Sequence, residues 1–275
     1  MRVYSLINQL IMKTFKSQLF FASAALMALC GTTSCNIRNF AGGMAPSSES
    51  TNRTYQTGQF RAVVNRTVAD VDISRAEECA LSIEAPTNYL KYIDVKVDGG
   101  VLYIGQKKDV HFSEPDRIEV SIGMPSLERV SADGTGDMDI SGAFEADIFE
   151  ARSAGTGDID IASVQANDLT IASSGTGDIS FTGNVSGQVT ATSNGTGEIE
   201  LKGTCETAEY STSGTGDIDA SEMRASGVKA SSSGTGDISC YAAKSFSGSA
   251  SGTGDITVYG KPATRQAASR NISFE

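Results

Sequence analysis

Seven carboxylates recur at nearly constant spacing through the second half of the chain: Asp137, Asp158, Asp178, Glu198, Asp217, Asp237 and Asp255. Successive members lie 21, 20, 20, 19, 20 and 18 residues apart. Such an array offers two chemistries. Stacked on adjacent turns, the carboxylates could hold a hard divalent cation such as calcium between them, since that ion takes oxygen ligands. Grouped on one face with Lys or Arg, carboxylates of this kind serve β-helix enzymes that act on acidic polysaccharides. Basic neighbours are few here (Lys202, Arg224, Lys229), and an acid on every repeat suits architecture better than one active site.

Each carboxylate directly follows a Gly-Thr-Gly triplet and precedes Ile or Met. The triplets begin at Gly134, Gly155, Gly175, Gly195, Gly214, Gly234 and Gly252. A steady period of this length marks stacked repeats, none of which can bury its apolar face alone. After each triplet, Met138, Ile159, Ile179, Ile199, Ile218, Ile238 and Ile256 alternate with polar residues. Two positions on stand Ile140, Ile161, Phe181, Leu201, Ala220, Cys240 and Val258. That period of two predicts a short strand with one buried face. A second strand precedes each triplet, its inward row shrinking from residues such as Phe149, Leu169 and Val189 to Ser153, Ser173 and Ser193. A third inward station falls mid-repeat at Phe144, Val164, Val185, Cys205, Met223 and Ala243.

These patterns predict an all-β chain built as a parallel β-helix, a solenoid with coils of about 20 residues and irregular β caps. Parallel crossovers are right-handed in nearly all cases, so a right-handed coil is expected. The two glycines are expected to permit a tight corner with positive φ and the close approach of stacked backbones. Neighbouring carboxylates roughly 4.8 Å apart repel by about 1 kcal/mol in water. Each is therefore expected to accept N–H bonds from its own corner and to face solvent, with cation binding between coils as the alternative reading. The triplet shares glycine and Asp with calcium-binding nonapeptide repeats, but its period is about twice theirs.

The rest of the chain bounds the setting. Lys13 and Lys16 precede an apolar run, Leu19 to Leu29, too short to span a bilayer and suited to a signal peptide, with Met12 an alternative start to Met1. The run ends in Leu29-Cys30-Gly31-Thr32-Thr33-Ser34-Cys35, which has the form of a bacterial lipoprotein signal. Cys35, after Ser34, is the expected lipidation site, with Cys30 the alternative and ordinary secretion the other reading. Three of the 22 basic residues and none of the 33 acidic ones fall in 1–35, leaving 19 against 33, a net charge of −14. Such a surface repels nucleic acid and anionic headgroups, so the membrane is expected to be met only through the N-terminal anchor.

The organisation read from these signals is a signal peptide over 1–35, a flexible tether over 36–57, an N-terminal β region or cap over 58–132, seven repeats over 133–260 and a C-terminal cap over 261–275. Within the N-terminal region, Ile93 to Ile104 around Asp98-Gly99-Gly100 reads as a hairpin. Beyond the signal, Cys79, Cys205 and Cys240 are an odd, widely spaced set that predicts neither a disulfide framework nor a zinc site. His111 is the single histidine, and no Ser-His-Asp set is assignable. A phosphate-binding loop would need a helix after the glycines, and here a strand follows. No catalytic residues, cofactor or confident metal site are therefore expected.

The Gly-Thr-Gly-Asp-Ile ladder, the Asp-Gly-Gly hairpin and the lipoprotein-like Cys35 together resemble the putative auto-transporter adhesin, head GIN domain family of secreted or lipid-anchored Bacteroidetes proteins. The resemblance runs from about Phe60 to the C-terminus. It implies a right-handed β-helix and an adhesive role at the cell envelope, on the outer membrane or secreted, and brings no binding residues with it. The function read from the sequence is thus an envelope-anchored β-helix presenting a repetitive face to a glycan or a surface protein. A polysaccharide-active enzyme and a passive structural protein are the alternatives.

Overall fold

The computed structural model describes residues 43–275. They form a parallel β-solenoid with coils of about 20 residues. Each coil carries one strand before its glycine corner and one after it, and these stack into two long columns. In the column after the corner, Asp70–Arg75, Met138–Ile140 and the starts of Ile159–Ser173 and Ile199–Thr212 run parallel and in register, with Ile179–Val185 between the last two. The column continues through Ile218, Ile238 and Ile256 to Ile272–Phe274. In the other column Ala62–Asn65, Arg129–Ala132, Glu145–Ser153 and Gln188–Ser193 take part. Like residues therefore stack on like: Ile159 on Ile179, Ile179 on Ile199, Ile199 on Ile218.

The inward stations read from the sequence are buried from Met138 through Val258, with two exceptions, one of which, Ala250 at the end of the row before the last corner, is half-buried. Ala243 is exposed, and Ala242 fills its place. The strand Ile238–Ala250 is shorter than the Ile218–Ser232 strand beneath it. Its register therefore skips so that Tyr241 pairs with Arg224 and Ala242 with Ala225. Before five of the seven corners the inward row ends in a hydroxyl, and for all of these but Ser173 there is a reason the size taper hid. Ser153, Ser193, Thr212 and Ser232 are buried and donate to the carbonyls of Gly157, Gly197, Gly216 and Gly236, at 3.1–3.5 Å. A buried carbonyl that the corner leaves unpaired is thus satisfied from within the core.

The corner glycines differ from expectation. None of those in the triplets has a positive φ; the glycines that do are Gly99, Gly100, Gly203 and Gly260. What excludes a side chain is the stacking itself. A Cβ on Gly155 would stand 1.8 Å from the Gly134 carbonyl oxygen, and one on Gly175 would stand 2.0 Å from that of Gly155. The same first-glycine carbonyls accept the Thr N–H of the next coil at 3.0 Å, from Thr156 on Gly134 to Thr253 on Gly234.

The solenoid also extends further than the triplets. Ala62–Asn65 and Asp70–Arg75 form a coil directly beneath the first one. The chain then leaves the stack and returns beneath that coil with Val101–Gln106 and Glu119–Met124, again parallel. Antiparallel strands close this end: Ile93–Asp98 on Val101–Gln106, through a turn at Gly99-Gly100, and Ala80–Pro86 on Glu119–Met124. Ser50–Tyr55, read as tether, is the outermost strand, antiparallel to Ala80–Pro86. Its residues, STNRTY, are almost wholly exposed. Backbone pairing to an open sheet edge holds it, and composition does not report that interaction. At the other end Thr264–Ala267 and Ile272–Phe274 add parallel strands, and the Phe274 ring meets Phe246 edge-on at 5.6 Å.

Candidate functional site

The seven predicted carboxylates stand in one column, all exposed. They do not bond to their own corners. Five take the backbone N–H of the carboxylate residue on the next coil: Asp158 N–H to Asp137 at 2.9 Å, Asp178 to Asp158 at 2.8 Å, and Glu198 to Asp178, Asp237 to Asp217 and Asp255 to Asp237 at 2.7 Å. A hydrogen bond to a charged group contributes about 1.5–3 kcal/mol, against about 1 kcal/mol of repulsion between solvated neighbours, so the ladder holds together. Among the described residues Glu198, the one Glu of the seven, and Asp255, the last of them, accept no such bond.

The column is longer than the triplets reveal. Asp70 accepts the Asp137 N–H at 3.0 Å, Asp70 is in register with Glu119, and Glu119 with Glu84. The signal for Asp70 was Asp70-Val71-Asp72-Ile73, which repeats the pattern of Asp137-Met138-Asp139-Ile140 without its glycines. A second row runs beside the first, with Asp72, Asp139 and Asp160 in register. Burial and the flanking Asp72 and Asp160 raise the Asp139 carboxyl above its ordinary value; burial and then Asp178 and Asp217 raise that of Glu198.

Carboxyls raised by folding make the native state bind more protons than the unfolded chain, so stability rises as pH falls through the raised values toward the ordinary 3.8 and 4.5. Asp98, lowered by its hydrogen bond and ion pair with Lys96, acts in the opposite sense only near and below 3.8. The urea midpoint is therefore expected to be higher at pH 5 than at pH 7. A midpoint lower at pH 5 than at pH 7 would contradict this account of the acidic face.

Among the described residues no three His, Cys, Asp or Glu side chains converge closely enough to hold a metal ion. The remaining candidates are placed as follows. Burial pushes the Cys205 and Cys240 thiols up to about 12, with Glu206 adding to the effect at Cys205, so neither is a ready nucleophile. Cys79 is free and half-buried. The backbone carbonyl of His111 receives the Met44 N–H. Cys35 and Cys30, with the signal segment, lie outside the described residues.

A different feature went unread in the sequence. On the side of the coils between the two strand columns lies an open channel of about 680 Å³. Two polar rows border it. In one, Glu145, Gln165, Asn184 and Thr204 are stacked in register, one from each of four coils. In the other, the Asn167 amide donates to Asp147 at 2.6 Å and the Ser186 hydroxyl donates to Asn167 at 2.8 Å. Ala146, Ala166 and Val185 lie between the rows. The second row is locked by its own bonds. Among the described residues the Glu145 and Gln165 side chains have no intramolecular partner, whereas Asn184 accepts from Thr204 at 3.0 Å and keeps its amide N–H groups free. Outward polar residues on a strand are expected everywhere, and only the register shows that these four form one line.

Among solved structures the fold is similar to that of a putative adhesin from Bacteroides fragilis NCTC 9343, at 25% identity and a TM-score of 0.63, covering 84% of this chain and 98% of that one. A putative adhesin from Parabacteroides merdae ATCC 43184 matches at 18% identity and a TM-score of 0.77, covering 85% and 99%. A putative lipid binding protein from Parabacteroides distasonis ATCC 8503 matches at 20% and 0.75, covering 85% and 100%. No curated protein sequence matches the chain. The model of the putative auto-transporter adhesin, head GIN domain matches residues 59–195 and 186–262, which together span both the irregular first coils and the glycine repeats. With the stacked fold and the repeat ladder beneath that match, the chain belongs to the putative auto-transporter adhesin, head GIN domain family.

Proposed function

We propose that this protein is a non-catalytic binding module of the cell envelope that holds a polysaccharide lengthwise in the polar channel. The observation that carries this reading is the in-register line Glu145, Gln165, Asn184 and Thr204, which offers carboxylate, amide, amide and hydroxyl at a repeat of roughly 4.8 Å. Sugars present hydroxyls at intervals along a chain; amides can donate to and accept from them, and a carboxylate accepts from them. The walls stand on stacked coils, so little side-chain and no loop ordering is needed on binding, which favours affinity. Membership of a family described as adhesins supports binding over catalysis. The test is a glycan array probed with the ectodomain, followed by calorimetry on any hit. Gln165→Ala and Asn184→Ala are exposed changes expected to leave the fold intact and to weaken binding about tenfold each, in line with the loss of one or two hydrogen bonds. Wild-type binding that both variants retain would move the site elsewhere, and a blank array together with absent whole-cell binding would end the glycan reading.

Anchoring is the second half of the proposal. Cys35, or failing it Cys30, carries the lipid that holds the module at the outer membrane, and two or more acyl chains make such anchoring stable. Cys35→Ser is expected to shift the protein from the membrane to the soluble fraction and to abolish palmitate labelling. Labelling that survives in Cys35→Ser and is lost in Cys30→Ser would reassign the site, and no labelling in the wild type would exclude it.

A further inference from the structure

The line of polar residues does not end at Thr204. On the next coil Thr204 is in register with Arg224, and on the one after that Arg224 is in register with Tyr241. The Arg224 guanidinium sits over the Tyr241 ring, its central carbon 4.9 Å from the ring centroid. The pair therefore continues the line of the channel wall, with Arg224 one coil and Tyr241 two coils beyond its last lining residue, Thr204.

Arg224 combines a stacked ring with a place on the channel's own row. Lys202 is paired with Glu200 at 2.6 Å, Lys229 with Glu209 at 2.7 Å and Arg152 with Glu150 at 3.8 Å. Arg224 is exposed, and among the described residues it has neither an ion pair nor a hydrogen bond through its side chain. Stacking on the ring fixes the guanidinium plane by cation–π attraction and leaves its N–H edge open. That edge matches a carboxylate in a two-bond fork.

We infer that Arg224 and Tyr241 form an anion subsite that receives the carboxylate of a uronic acid residue in the bound polysaccharide. The inference rests on the polysaccharide reading above and adds the charge and polarity of its ligand. Glu145 and Asp147 mark the other end of the channel, four coil spacings or roughly 19 Å from Arg224. Carboxylates on the ligand would be repelled there. The fitting ligand is a glycan that is neutral along the channel and acidic at the Arg224 end, and a uniformly charged polyuronate is disfavoured.

The experiment compares three probes by calorimetry at fixed salt: a neutral oligosaccharide taken from the array, the same oligosaccharide bearing a terminal glucuronic acid, and a homopolyuronate. The wild-type ectodomain is expected to bind the singly acidic probe about tenfold or more tightly than the neutral one, and the homopolyuronate less tightly than either. Arg224→Gln is expected to bind the neutral probe as the wild type does and to lose the preference. Arg224→Lys keeps the charge without the fork and is expected to keep only part of it. Equal wild-type binding of neutral and acidic probes, or a preference that survives Arg224→Gln, would overturn the anion subsite while leaving the channel reading intact. Binding of none of the probes by the wild type would overturn both.

Discussion

Replacing Gly175 with alanine is expected to destabilise the protein by more than about 3 kcal/mol, an unusually large effect for one added methyl. The new Cβ would lie 2.0 Å from the carbonyl oxygen of Gly155, and 2.9 Å from the backbone carbon of Ala154. Neither is the tip of a flexible side chain. Relief requires the two corners to separate, which breaks the Thr176 N–H bond to that same Gly155 oxygen, now 3.0 Å long. Because coils are stabilised mainly by their neighbours, a gap at this interface weakens the stack on both sides of it. Gly58→Ala is the control. A Cβ there meets nothing within 4 Å, and no change beyond about 0.5 kcal/mol is expected. Equilibrium urea unfolding of the two variants beside the wild type is the measurement. Equal midpoints for Gly175→Ala and wild type would remove close stacking as the reason for the repeated glycines.

The second large effect is expected at Asn65, which is wholly buried and serves two coils at once. Its Nδ2 donates to the Ala69 carbonyl at 2.8 Å, the same four-residue reach by which Ser153 serves Gly157. It also donates to the Gly136 carbonyl of the coil above at 3.3 Å. That coil carries Ala132 at the station where later coils carry a hydroxyl, so Asn65 supplies the donor that Ala132 lacks. Its Oδ1 accepts the Thr67 N–H at 3.0 Å and the Thr67 hydroxyl at 2.7 Å. Asn65→Ala strands these partners out of reach of water, and a loss of about 2–4 kcal/mol is expected. Hydrogen exchange should rise first in 62–75 and 129–140. Asn65→Ser can still reach Ala69 and is expected to cost less. An Asn65→Ala variant as stable as the wild type, with unchanged exchange, would show that the amide does not join the first two coils.

Much of the solenoid was legible because its periodicity is local. Ile159 and Ile161 alternate with Asp158 and Asp160, and the pattern returns one coil later, so strand, buried face and stacking partner follow from spacing alone. Legibility failed where a partner came from elsewhere in the chain. Ala243 was placed inward by its offset from the glycine, but the shorter coil lets Ala242 occupy that station. The ladder carboxylates were assigned to their own corners, yet the donors are one coil away. Ser50–Tyr55 has the composition of a tether and is nonetheless a strand, because a sheet edge elsewhere supplies its bonds.

Taken alone, the residues determined a parallel β-solenoid, its inward rows and the position of each glycine corner, since these depend on contacts that repeat every coil. Tertiary structure alone decided that the chain runs from 75 back beneath its own first coil before rejoining the stack at 129. It also decided which outward polar residues share a line, so that Glu145, Gln165, Asn184 and Thr204 border one channel and Arg224 continues their row beyond it. The physical reason is the same in both cases. Burial marks a residue with a recognisable type, whereas the choice of a hydrogen-bonded neighbour on an exposed face leaves no mark on composition and is set only when the coils close on one another.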